Sequence, residues 1–244
     1  VDTAVTTVDT GSAGSALVVP PALAGESTVC WTVAPAIEGW TGLYVIGLDS
    51  GEVLEVARFD GAPYDSFGSG LVEHGGRLLI HEYPDTAWYV FDLALGTSER
   101  HETDDTPKSV TGWDDQILLV DANGNGALYE DIDAVVAGTP AVVLPPGPVG
   151  NGAYTQHGAR LFALPPGAFV QELDPLTGDL LDGWELDRHT TFVKGVAVAG
   201  DQLHVLDGGS LLRFDLTGAL VDERVLPDRL QFASGASGLV CVAP

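Results

Sequence analysis

The chain carries two lysines, Lys108 and Lys194, and each opens a short run of the same kind, KSVTGWD and KGVAVAG. Three further runs match them: SGLVEHG from Ser69, NGAYTQH from Asn151 and SGLVCVA from Ser237. Successive starts lie 39, 43, 43 and 43 residues apart. If the runs are equivalent elements around one axis, Ser69, Lys108, Asn151, Lys194 and Ser237 ring a single opening. Two ammonium groups, an amide and two hydroxyls there suit an anion such as carboxylate, phosphate or sulfate, or a sugar-like molecule. His189, Asp65 and Asp105 stand in the segments leading into the ring. The plainer reading is that strand starts near solvent are simply polar.

Asp121-Ala-Asn123-Gly-Asn125-Gly126 matches the first half of a calcium loop, in which alternate positions offer side-chain oxygens. It lacks an acid at loop positions 9 and 12, which are Tyr129 and Ile132, so calcium is the only cofactor the sequence offers and an Asn-Gly hairpin turn is the alternative. His74 and His157 end two of the matched runs, but no metal-binding His or Cys spacing is present. Nucleophile elbows, phosphate-binding glycine loops and dinucleotide fingerprints are also missing from the sequence. Tyr64, Tyr83 and Trp88 could stack on a sugar near the opening, or pack in a core.

The elements that would position these residues are short strands. Phe192 to Leu226 holds four apolar runs, GVAVA, QLHVL, SLLRFDL and ALVDERVL, separated by Gly200-Asp201, Asp207-Gly208-Gly209 and Thr217-Gly218. Runs of that length between turn residues are strands joined by hairpins. Four such strands make one propeller blade, and a near-constant period marks a repeat fold. The sequence therefore predicts an all-β, five-bladed β-propeller of four-stranded antiparallel blades. Only eight residues remain from Ser237 to the end, so the last blade takes its outer strands from STVCWTVAP, GLYVIGLD and EVLEVARF near the N-terminus. That closure removes open sheet edges.

The two cysteines bear on the same arrangement. Cys30 lies in the N-terminal strand and Cys241 in the C-terminal strand expected beside it, within disulfide reach. A disulfide implies an oxidising compartment; two unrelated buried thiols are the competing reading. Residues 1–25, rich in Thr, Ser, Ala and Gly, read as a flexible tether left by signal or lipoprotein processing, with a strand at Ala16–Val19 as the competing view. Residues 26–244 form the propeller domain.

Hydrophobic residues make up 45% of the chain and charged ones 18%, enough for a large core. Ten Lys and Arg against 35 Asp and Glu give a net charge of −25, which repels nucleic-acid phosphates and anionic lipid. No apolar run is long enough to span a membrane. The expected protein is monomeric and secreted, periplasmic or on the cell surface, and it binds a small anion, a glycan or a protein partner.

The phrase VAVAGDQLHVLD resembles the short-repeat propellers of the NHL and YVTN type. Ser69 to Leu216 is also similar to the five-bladed glutaminyl cyclases of plants and bacteria, through Phe67-Gly-Ser-Gly-Leu71, Gly178-Asp-Leu-Leu-Asp-Gly-Trp184 and Val193-Lys-Gly-Val196. The resemblance implies the fold and a site at the channel mouth. The polar residues depart from that family: Ser69 replaces its acid or amide, Lys194 its asparagine, and Asp207-Gly-Gly-Ser210 its G-K-x-W-P. Asn151 alone matches. Cyclase activity is therefore not expected, and a non-catalytic ligand-binding propeller is; the alternative is a cyclase-like or lactonase-like enzyme using the mouth lysines.

Overall fold

The computed structural model describes residues 6–9, 16–35, 40–60, 67–82, 87–104, 107–121, 123–144, 153–165, 167–174, 176–230 and 237–242. A hairpin comes first, β1 (Thr6–Asp9) with β2 (Ala16–Val19). The strand reading of Ala16–Val19 is thus the one the structure holds. Val19, and Leu23 just beyond it, are buried in one cluster with Trp31, Leu71 and Ile80.

The next three strands are β3 (Val29–Pro35), β4 (Trp40–Gly47) and β5 (Val53–Asp60). Then come β6 (Phe67–His74), β7 (Arg77–Glu82), β8 (Ala87–Asp92) and β9 (Thr97–Glu102). The third group is β10 (Pro107–Trp113), β11 (Gln116–Asp121), β12 (Gly126–Tyr129) and β13 (Val142–Val143), with helix α1 (Ile132–Val136) between the last two. β14 (Ala153–His157), β15 (Arg160–Leu164), β16 (Gly167–Leu173) and β17 (Leu180–Thr190) make a four-stranded sheet. So do β18 (Val193–Ala199), β19 (Gln202–Asp207), β20 (Ser210–Asp215) and β21 (Leu220–Val225). The last strand is β22 (Ser237–Val242), which pairs antiparallel with β3 to give the order β22-β3-β4-β5.

Burial falls from the inner strands outward, and the sequence explains why. Second strands such as QILLVD and QLHVLD are buried on both faces because each sheet packs between two others. Outer strands carry the charges, as in TSERHE and LVDERV, and are half-exposed or exposed. A charged outer edge discourages pairing with another chain. Among the described residues the core divides into clusters, each lying between two sheets. Trp31 and Leu43 meet Leu78 and Tyr89 on one side, while Cys30, Tyr44 and Ile46 meet Ala197, Leu206 and Leu211 on the other. Val72 and Trp88 meet Ile117 and Tyr129, Leu118 and Val120 meet Tyr154 and Ala163, and Phe162 and Val170 meet Val205 and Phe214.

The inner strands approach closely. β6 and β10 form one parallel pairing, Val110 with Gly70, which joins their two sheets into eight strands. A Cβ on Gly70 would sit 3.0 Å from a Val110 methyl, so the small residue permits that approach. β10 also packs beside β14, β14 beside β18, β18 beside β22, and β22 beside β6.

One unit departs from the expected pattern. The third strand stops at Tyr129, and Asp131 caps α1 by accepting a hydrogen bond from Ala134 N at 2.7 Å. Ile132 and Val135, three apart, bury one face of this short helix. The fourth strand is thereby reduced to Val142–Val143.

Candidate functional site

The five matched positions are best followed through their strands. Ser69 lies in β6, Lys108 in β10, Lys194 in β18 and Ser237 in β22. Asn151 lies outside the described residues, as do Asp65, Asp105, Tyr64 and Tyr83. In each of the four described strands the pairing with the neighbouring strand slips at or beside the matched residue. Pro107 pairs with Asp121 and Ser109 with Val120, so Lys108 is an extra residue in the register. Val193 pairs with Asp207 and Gly195 with Leu206, which leaves Lys194 in the same condition. The slip in β6 falls between Phe67 and Leu71 and spans Ser69; in β22 it begins at Ser237. The one-residue slips at Lys108 and Lys194 have the form of β-bulges, which twist a strand and re-aim a side chain, and which concentrate at barrel rims and next to active sites.

Fixed hydrogen bonds hold the bulged strands in place. The Asp207 carboxylate accepts from Phe192 N at 2.6 Å and from Thr191 N at 3.1 Å, pinning the entry to β18. The Ser109 hydroxyl accepts from Tyr154 N at 3.1 Å, and the Thr32 hydroxyl donates to the Gly238 carbonyl at 2.9 Å. Lys194 is half-buried and makes no ion pair among the described residues. Asp207, at the end of the strand beside it, is committed to two backbone amides.

Asp121 occupies the position in β11 that Asp207 occupies in β19, but it turns forward into its own hairpin. One carboxylate oxygen accepts from Asn123 N at 2.7 Å and Asn125 N at 2.9 Å. The other accepts from the Asn125 side chain at 2.7 Å. Burial raises the pKa of this carboxyl and these hydrogen bonds lower it, leaving it below its ordinary value. Asp121, Asn123 and Asn125 thus form a hydrogen-bonded turn.

The remaining candidates disperse. Trp88 is fully buried and packs edge-on against His81, with ring centroids 4.8 Å apart, so it belongs to the core. His74 Nε2 donates to the Asp115 carbonyl at 2.8 Å, tying the end of β6 to the β10–β11 turn. His189 is exposed on β17.

Cys30 and Cys241 are directly paired across β3 and β22 and form a disulfide, with their Cα atoms 4.1 Å apart. A buried neighbour escaped the sequence: His204, on β19, has a ring nitrogen within 4.8 Å of both sulfurs. Burial, and then the Arg213 guanidinium, push its pKa down to about 4; a contact with the Ala199 backbone offsets only part of this. Its position within the apolar run QLHVL gave burial away, but its nearness to a disulfide on another sheet depends on sheet packing.

No protein-family model and no curated protein sequence matches the chain. Solved structures do. The glutaminyl cyclase of Myxococcus xanthus superposes with a TM-score of 0.55 at 11% identity, over 66% of this chain and 72% of that one. A chain of a nidogen/laminin complex superposes with a TM-score of 0.52 at 13% identity, over 89% of this chain and 98% of that one. At such identities the likeness concerns the fold alone: the all-β arrangement of four-stranded antiparallel sheets is that of a β-propeller.

Proposed function

We propose that this chain is a five-bladed propeller whose channel mouth binds a small anion through Lys108 and Lys194, with Ser69, Asn151 and Ser237 around them. Three four-stranded sheets and an eight-stranded one made of two further groups of four, inner strands that neighbour one another in a cycle, and a last sheet built from both ends of the chain support the blade count and the closure. Residues 26–244 make up the propeller in this reading. The observation that carries the binding site is the pair of bulges: the only two lysines of a −25 chain are both extra residues in the register at one repeat position. A bulge at equivalent points of two blades is a device for aiming two side chains alike. Two ammonium groups so placed attract carboxylate, phosphate or sulfate, and hydroxyl and amide neighbours add directional hydrogen bonds.

The reading is of a binding protein and not an enzyme. General acid–base chemistry needs a group tuned and positioned against the reacting atom. The five mouth positions, Ser69, Lys108, Asn151, Lys194 and Ser237, include no carboxylate or imidazole to act with the lysines in that way. The disulfide supports an exported location, since such bonds persist in oxidising compartments.

Calorimetric titration with small carboxylates, phosphate and sulfated sugars tests this. The wild type is expected to bind one of these classes, and the Lys108→Ala/Lys194→Ala double variant to bind none while remaining folded. Equal binding by both proteins would remove the site. Incubation with N-terminal glutaminyl peptides and lactones is expected to leave them unchanged; turnover abolished by the same double substitution would make the mouth catalytic.

A further inference from the structure

The disulfide lies at the junction of two sheets, and what faces it there is a histidine. Cys30, Cys241 and His204 are all buried, and their sulfurs and one ring nitrogen lie within 4.8 Å of one another. Neither ring nitrogen of His204 has a well-formed hydrogen bond among the described residues. A buried polar group without good hydrogen bonds is destabilising, so such a residue needs an explanation. A neutral imidazole offers one nitrogen lone pair to a metal. A small cleft lined by Leu48, Leu211, Arg213, Asp222 and Arg224 runs from His204 toward the half-exposed Asp222 side chain.

We propose that, once a thiol or phosphine reductant opens the disulfide, Cys30, Cys241 and His204 bind Zn²⁺, which then replaces the disulfide as the tie between β3 and β22. The reductant gives up two electrons and ends as its own disulfide or as a phosphine oxide whose oxygen comes from water; the S–S bond breaks, and two protons complete the two thiols. Zinc then displaces both thiol protons, forming two Zn–S bonds and one Zn–N bond and releasing two protons. Two thiolates and Zn²⁺ sum to zero charge, which suits a buried place. Zinc needs Zn–S near roughly 2.3 Å and Zn–N near roughly 2.0–2.1 Å, so tetrahedral sulfurs stand roughly 3.8 Å apart. The sulfurs must separate, and the ring nitrogen, within 4.8 Å of both, must close on the ion they share. A fourth position falls to water. This inference is independent of the mouth site.

The test uses the whole chain, reduced with a phosphine in denaturant and refolded anaerobically by dilution, with and without Zn²⁺; oxidised protein is carried in parallel. The reduced chain is expected to bind one Zn²⁺, to release two protons, and to recover much of the melting temperature lost on reduction. Co²⁺ in place of Zn²⁺ should give thiolate charge-transfer absorption. His204→Gln, which keeps both cysteines, should weaken zinc binding by roughly tenfold or more, since even losing a residue that merely orients a ligand costs that much. Several results would overturn the proposal: no zinc binding, equal binding by oxidised protein, affinity untouched by His204→Gln, or a reduced chain that Zn²⁺ fails to refold.

Discussion

His204 shows how much one buried ring can decide. Its pKa is about 4 in the fold against an ordinary 6.5, so the unfolded chain takes up a proton first. Its contribution to stability is therefore complete above about pH 6.5, is lost as pH falls toward 4, and changes no further below that. The loss is on the order of 3 kcal/mol. Denaturant titrations across that window should show the slope in the wild type and a flatter one in His204→Gln; parallel slopes would mean the ring is not the group responsible. Gly238 makes a second prediction at this scale. Its φ is +70°, and an added Cβ would lie 2.4 Å from Leu71 Cβ and 2.8 Å from Leu71 N. Gly75, at φ +62°, has open space around it. Gly75→Ala should therefore cost only the left-handed penalty, ~1 kcal/mol. Gly238→Ala should cost about 3 kcal/mol or more, because neighbouring backbone must also move. Similar unfolding midpoints for the two variants would contradict the close approach of β22 and β6.

At the scale of elements, the pairing of β22 with β3 joins residues 211 apart in sequence through one disulfide. Chain-entropy arithmetic puts a loop of that length near the top of the range, roughly 5 kcal/mol. A Cys30→Ser/Cys241→Ser variant should lose a large part of that in equilibrium unfolding; a midpoint equal to the wild type's would mean that strand pairing and packing alone hold the two strands together. Helix α1 is a smaller device. Asp131→Ala removes the cap on Ala134 N and should cost ~1 kcal/mol, with thermal unfolding as the readout. These elements were legible in the sequence to different degrees. The period, the strand alternation and the placement of Cys30 beside Cys241 could be read directly, because hairpin turns and apolar runs are local signals. Helix α1 could not: Asp131-Ile-Asp-Ala-Val-Val continues an apolar run at strand-like length, and only burial of Ile132 and Val135 against β10–β12 selects the helix. The bulges at Lys108 and Lys194 were hidden for a related reason, since a slip of register is a property of two strands together. The Asp121 loop matched a cation motif in residue type; that its carboxylate accepts from the Asn123 and Asn125 backbone and from the Asn125 side chain is turn geometry that spacing alone does not reveal.

For the whole molecule, a net charge of −25 makes two lysines at one repeat position the feature most in need of an account. A field of that sign opposes the approach of any anion, so a mouth that binds one must do so through close contacts. The rarity of lysine also gives the cleanest readout. Reductive ¹³C-methylation labels Lys108, Lys194 and the N-terminal amine and nothing else, so their signals can be followed while phosphate, sulfate or a small carboxylate is added. The two lysine signals are expected to shift together, saturably and with a common affinity, while the N-terminal signal stays in place. Lysine signals that stay fixed through every titration, or that respond singly with unrelated affinities, would contradict a shared anion site at the propeller mouth.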